Sequence, residues 1–312
     1  MSLINEATLG LGSVPSVLAG PSSPSASYGA LYAFGDSLSD AGNIYTATFH
    51  LLPSVPYSHG HFSNGPTWAE DLAGALGLPT LKPSLQGGTD FAYGDAESGS
   101  DPLHSASPLD LPSQLAQFRG ADPHPAANAL YTISIGNNDV LDAISAAASN
   151  PAAATADVGQ AVVNETAFLG ALAQGGARNM LVLNVPDLGK TPAETSHGAA
   201  VAQTATQLSA LYDSELSASL TALAAQDGLN IHVVDAFSLI DQAVANPSAF
   251  GLTNVTQPVW TGSYDNPFSG HLNATGAAQN GYLFFDSLHP TETGHLAVAS
   301  AALQSLSGPG LA

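Results

Sequence analysis

Ser37 sits in the stretch YAFGDSLSDAGN (32–43), where an apolar run stops at Gly35 and gives way to Asp36, Ser37 and Leu38. A serine hydroxyl is a weak nucleophile that needs a base, and neutral histidine is the natural one near pH 7. The stretch YLFFDSLHPTETGH (282–295) supplies a candidate in His289, with Asp286 three positions before it. Asp286 could accept the other imidazole N–H, fix the tautomer and stabilise the imidazolium as it forms. Two more stretches carry donors suited to a tetrahedral oxyanion. Gly94, in DFAYGD (90–95), offers a backbone N–H, and Asn138, in IGNND (135–139), offers a carboxamide. With the amide of Ser37 they would make three donors. Singly, each reads blandly, as a helix cap, a turn or a cap pair; the weight lies in their falling at one place in a fold.

That place follows from the elements. Short apolar runs over 30–36, 89–94, 129–136, 179–185 and 230–236 alternate with helix-like segments, the pattern of βαβ units and a parallel sheet. Three of the runs are nearly continuous in apolar residues, as strands covered on both faces should be. Helical patterns occupy 67–77, 111–118, 158–176, 194–226 and 290–306, the last with Pro290 expected in its first turn. Open parallel sheets present ligand sites at the carboxyl ends of their strands. Ser37, Gly94 and Asn138 all follow such ends. Residues 1–27 read as a Ser/Pro-rich extension, 28–308 as one α/β domain and 309–312 as a tail. Residues 246–281 read as a long loop whose Trp260, Tyr264 and Phe268 either line an acyl or acceptor pocket or pack the loop.

Together, FGDSLSDAGN, GGTDFAYGDA, IGNND and DSLHPT resemble the successive blocks of the GDSL (SGNH) hydrolases, in that family's order. The segment YSHGHFSNGPTWAEDLA (57–73) also resembles the lipase-like branch. The resemblance implies a three-layer α/β/α sandwich around a mainly parallel, about five-stranded flavodoxin-like sheet. It also implies an esterase or lipase working through an acyl-enzyme on Ser37, with Asp286 and His289, an oxyanion hole of Ser37, Gly94 and Asn138, and no metal or cofactor. The expected substrate is a small acyl ester or a lipid. An acyltransferase or phospholipase would share the site. Three departures stand out: His61 where this branch favours arginine, and Asp90 and Asp95 where Asn and Gly are common. Asp95 is expected to point away from the oxyanion, and Asp36 and Asp139 to tie strand-end loops to their neighbours.

The remaining composition narrows the field. Twenty-five acidic residues face four Lys and Arg, a formal charge of −21 that repels phosphate backbones and argues against nucleic acid. With no cysteine, thiolate catalysis and disulfides are excluded. No apolar run approaches a membrane span, so stable membrane insertion is not expected, and a monomer is favoured. Export or a cell-surface location is the family's habit, although 1–20 make a poor signal peptide. His59, His61, Asp286, His289, Glu292 and His295 invite a metal-hydrolase reading, but no H-E-x-x-H is present and Pro290 follows His289 directly. His295 is expected in the core. A nucleotide-binding module would need a better motif than Gly10-Leu11-Gly12. The remaining non-enzyme alternative is a passenger or binding domain with an inactive site.

Overall fold

A computed structural model describes residues 28–123, 126 and 128–311; the expected extension over 1–27 lies outside these residues. Four strands, β1 (Leu31–Gly35), β2 (Leu130–Ser134), β3 (Asn179–Leu183) and β4 (Asn230–Val234), form one parallel sheet in that order. The register pairs Leu31 with Leu130, Leu130 with Asn179 and Asn179 with Asn230. Between and after the strands run helices α1 (Asn43–Ala47), α2 (Trp68–Ala75), α3 (Leu111–Ala121), α4 (Asn137–Ala147), α5 (Pro151–Gln174), α6 (Pro192–Ser196), α7 (Ala199–Asp227), α8 (Ala236–Ala245) and α9 (Glu292–Leu306).

Alternation along each strand builds two cores. Tyr32, Phe34, Tyr131, Ile133, Met180 and Val182 point to one face, under α3, α4, α5 and α7. Leu31, Ala33, Leu130, Leu181 and Leu183 point to the other, under α2 and α9. Apolar residues are wanted on both faces, so these strands read as apolar runs. The result is the expected α/β architecture of a parallel sheet between helical layers.

The expected fifth strand is the correction. Residues 89–93 run alongside β1, with bonds from Ala33 N–H to Thr89 (3.0 Å), Phe91 N–H to Ala33 (2.7 Å) and Tyr93 N–H to Gly35 (3.1 Å). Yet a single bridge, Ala33 with Asp90, registers there. Buried polar groups hold the segment on its other side: Asn43 Nδ2 donates to the Asp90 and Ala92 carbonyls, and Gly94 N–H to Asp40. With this segment counted beside β1, the order matches the flavodoxin-like sheet, whose switch point lies between β1 and β2.

Other boundaries shift. The long pattern over 194–226 divides into α6 and α7 around His197 and Gly198. Thr291 caps α9, leaving Pro290 before the cap rather than in the first turn. The 246–281 loop has its own small core, where Trp260 packs with Tyr57, Val259 and Phe285. At the end of the chain Leu311 bonds back to Ile231 on the edge strand.

Candidate active site

Ser37 is placed by the way β1 ends. The Gln114 side chain accepts from Gly35 N–H (2.9 Å) and donates to Gly35 C=O (2.7 Å), occupying both backbone groups. Gly35 has φ +135°, and a Cβ there would lie 1.8 Å from the Ser134 carbonyl oxygen, so only glycine fits the turn. Asp36 is fully buried just beyond, accepting from Leu38 N–H (3.0 Å) and Asn137 Nδ2 (2.7 Å). The loop after β1 is thereby tied to the start of α4, and Ser37 is left facing the cleft.

Asp286, His289 and Ser37 form a continuous chain. Ser37 Oγ is 2.8 Å from His289 Nε2, and His289 Nδ1 is 2.7 Å from Asp286 Oδ2. An ionised carboxylate only accepts, which puts the imidazole proton on Nδ1 and leaves Nε2 to accept from the serine. Asp286 is held by more than the histidine. Its Oδ1 accepts from the N–H groups of Leu288 (2.8 Å) and His289 (2.7 Å), and its Oδ2 from Tyr57 Oη (2.6 Å).

The electrostatics follow this geometry. Burial alone would raise the Asp286 pKa, but His289, the backbone donor and Tyr57 hold it below the ordinary carboxylate value. Burial alone would depress His289; the charge and hydrogen bond of Asp286, with Asp36 and Asp95 behind, lift it above the ordinary histidine value. Tyr57 is pushed up by burial and by Asp286, so it stays a hydroxyl donor.

The expected oxyanion donors divide. Asn138 Nδ2 donates to Ala96 C=O at 2.8 Å, which leaves its second N–H, and both Asn138 and Ser37 line the same cavity. Gly94 N–H is already engaged, donating to the buried Asp40 Oδ2 at 2.9 Å. The cause is local: Asp40 gathers the N–H groups of Gly42, Asn43, Ile44 and Gly94. Glycine at 94 answers a packing need, because a Cβ there would lie 2.3 Å from the Phe62 ring. That ring lies 5.3 Å from the imidazole of His289. Asp95 does turn aside, accepting from Tyr264 Oη at 2.6 Å, but its charge still reaches His289.

A cavity of about 940 Å³, open mouth included, begins at Ser37 and His289. Its wall is apolar: Leu183 from β3, Leu239, Ile240 and Ala243 from α8, Phe250 and Leu252, and Ala297 and Val298 from α9. The aromatic trio, read from the sequence as either pocket lining or loop packing, does not line this cavity. Trp260 is buried in the loop core, Tyr264 packs edge-on against Phe62, and Phe268 is 92% exposed. Aromatic type and loop position suggested a pocket, whereas the apolar space is built by α8 and α9.

Two of the histidines in the metal-hydrolase reading, His61 and His295, have structural partners. His61 sits between Glu70 (2.9 Å) and the Ser58 carbonyl (2.7 Å). His295 accepts from Trp68 N–H in the core, and burial drops its pKa to about 3, so it stays neutral. Tyr57, Phe62 and Asp40 were not singled out from the sequence as site residues. The first two lie in the 57–73 segment, where family resemblance was the available signal.

The sequence profile of the GDSL-like lipase/acylhydrolase family matches residues 31–302. The chain belongs to that family. Esterase EstA of Pseudomonas aeruginosa is 30% identical over 337 residues, covering 93% of this chain and 48% of that protein. Phosphatidylcholine-sterol acyltransferase of Aeromonas hydrophila is 27% identical over 306 residues, covering 86% of this chain and 87% of that protein. Among solved structures, an α/β hydrolase from the metagenome of Lake Arreo aligns with TM-score 0.47 and 14% identity, over 90% of this chain and 96% of that one. The chain spans about half the length of several curated relatives it matches.

Proposed function

We propose that this chain is a serine carboxylic-ester hydrolase that carries its acyl group on Ser37. The observation that carries the proposal is the unbroken Ser37–His289–Asp286 relay opening onto the apolar cavity. Ser37 Oγ attacks the acyl carbonyl while its proton passes to His289 Nε2, and Asp286 stabilises the imidazolium. The Ser37 amide and the free N–H of Asn138 take the oxyanion, and the N-terminus of α4 beside them favours negative charge. Gly94 would join as a third donor only by releasing Asp40. His289 then returns the proton to the leaving alcohol, and water repeats the sequence on the acyl-enzyme.

Branched aliphatic side chains from α8 and α9 suit the acyl chain rather than a sugar, so the proposed substrates carry medium to long acyl groups. Each CH₂ transferred from water to such a wall is worth roughly 0.8 kcal/mol. Acyl transfer to an alcohol would use every step up to the acyl-enzyme, and the acyltransferase relative favours testing it. The experiment is a p-nitrophenyl ester series from acetate to palmitate, with and without an added alcohol acceptor. Wild-type kcat/KM should climb with chain length, and Ser37→Ala should lose roughly 10⁴-fold or more. A variant lacking Ser37 that keeps turning over these esters would end the proposal. Released ester, rather than free acid, in the presence of alcohol would assign transfer instead of hydrolysis.

A further inference from the structure

Away from the cleft, on the far side of Asn138, carboxylates crowd together. Glu97, Asp101 and Asp139 each bring an oxygen to within 4.8 Å of the others. Asp157, fully buried on α5, meets the carboxyl group of Asp101. Two carboxyl groups facing each other can bond only while one of them keeps its proton. With the carboxyls ionised, three oxygens are left without a hydrogen-bond partner among the described residues: Glu97 Oε2, Asp101 Oδ2 and Asp157 Oδ2. The Glu97 side chain is only 8% exposed, so water cannot freely repair the deficit. Orphaned buried carboxylate oxygens are costly and call for a specific explanation.

The other oxygens of these groups are accounted for. Asp139 accepts from Ser98 N–H and Oγ, Asp101 Oδ1 from the N–H groups of Leu103 and His104, and Asp157 Oδ1 from Leu103 N–H. Glu97 Oε1 faces His104 Nδ1 at 3.1 Å, while the other ring nitrogen faces Asp110. No lysine or arginine among the described residues pairs with the cluster. What is missing is a compact positive charge that takes several oxygens at once.

We propose that Glu97, Asp101 and Asp139, with Asp157 against Asp101, bind a Ca²⁺ ion. All the free donors are hard oxygens, which suits an alkaline-earth ion over zinc or copper. Ca²⁺ takes six to eight oxygens at about 2.3–2.6 Å in irregular arrangements, so loop carbonyls and water can complete its shell; Mg²⁺ demands a near-ideal octahedron. The ligands come from the 94–104 loop and from α4, next to the Asn138–Ala96 hydrogen bond. An ion here would brace that loop against α4, and with it the Asn138 carboxamide.

Binding and melting can be read without substrate, so the test stands whether or not the chain turns over esters. EDTA-stripped wild-type protein is dialysed against Ca²⁺, the bound metal is counted, and thermal unfolding is followed with Ca²⁺, with Mg²⁺ and with EDTA. Expected are one Ca²⁺ per chain and a Tm gain of several degrees over EDTA, larger than with Mg²⁺, as follows when an ion binds only the folded state. Asp101→Asn, at a partly exposed position, should stay folded and lose both the bound ion and the Tm gain. Glu97→Gln should do the same, melting in EDTA no lower than wild type because the amide matches the shape of the carboxyl group it replaces. Stripped wild type that binds no Ca²⁺ would overturn the proposal. So would a Ca²⁺-dependent Tm gain that persists undiminished in both variants, since that would be general screening of the acidic surface.

Discussion

At the scale of single residues, the protonation of His289 is set by three carboxylates at different distances. Asp286 touches it, Asp36 lies behind Ser37, and Asp95 reaches across from the cleft mouth, and all three favour the imidazolium. The proposed mechanism needs the neutral ring, so activity should fall as pH drops through a pKa above the ordinary 6.5. Removing one carboxylate should move that limb toward lower pH. Asp95→Asn keeps an acceptor for Tyr264 and deletes the charge. Its kcat/KM profile should shift its acid midpoint down by about half a unit or less, as expected of an exposed charge. An unchanged midpoint would mean that Asp95 does not act on the imidazole. The relay itself was legible in the sequence because Asp286 and His289 share one turn, and the serine follows a strand that announces its own end. The hydrogen bond of Gly94 was not legible: which way a peptide N–H points depends on Asp40, 54 positions away.

At the scale of elements, α8 and α9 line the cavity, and under the proposed function they decide what can enter. Ile240 on α8 faces the cavity, and Ile240→Trp should cut turnover of long-chain esters at least tenfold while sparing the acetate, measured as kcat/KM across the series. Phe268→Ala should leave the series unchanged, because that ring stands in solvent. If Phe268→Ala instead mimicked Ile240→Trp, the acyl chain would lie along the loop. Sequence patterning revealed β1, β2, β3 and β4, because burial on both faces forces apolar runs. It did not reveal α4, whose opening Asn137-Asn138-Asp139 has turn chemistry, or α8, which starts directly after β4 under an Asp235 cap. The cavity stayed hidden for the same reason: its walls meet only through long-range packing. The carboxylate cluster spreads over residues 97–157 with no motif spacing to betray it.

At the scale of the whole molecule, 25 acids and four Lys and Arg mean that many carboxyls are buried without a cation. Burial lifts Glu165 and Asp213 to about 8, and Asp36 and Asp71 to about 6. Unfolded, each would titrate near its ordinary value of about 4. The folded chain therefore holds more protons over that interval, so these groups stabilise it below about pH 4 and lose that contribution as pH rises through about 6 to 8. Asp286 acts oppositely: its depressed pKa gives stability above the ordinary value that disappears in acid. Tm measured in EDTA should peak near pH 5 and fall steadily toward pH 9. A Tm that rose over that range would show these acids to be ionised in the folded state.

The hydroxyl and the imidazole it meets are 252 positions apart. Synthesis of this polypeptide therefore sets all four strands before the imidazole exists. Under the proposed mechanism, a nascent fragment that stops between β4 and His289 would carry the serine without its base and would lack turnover.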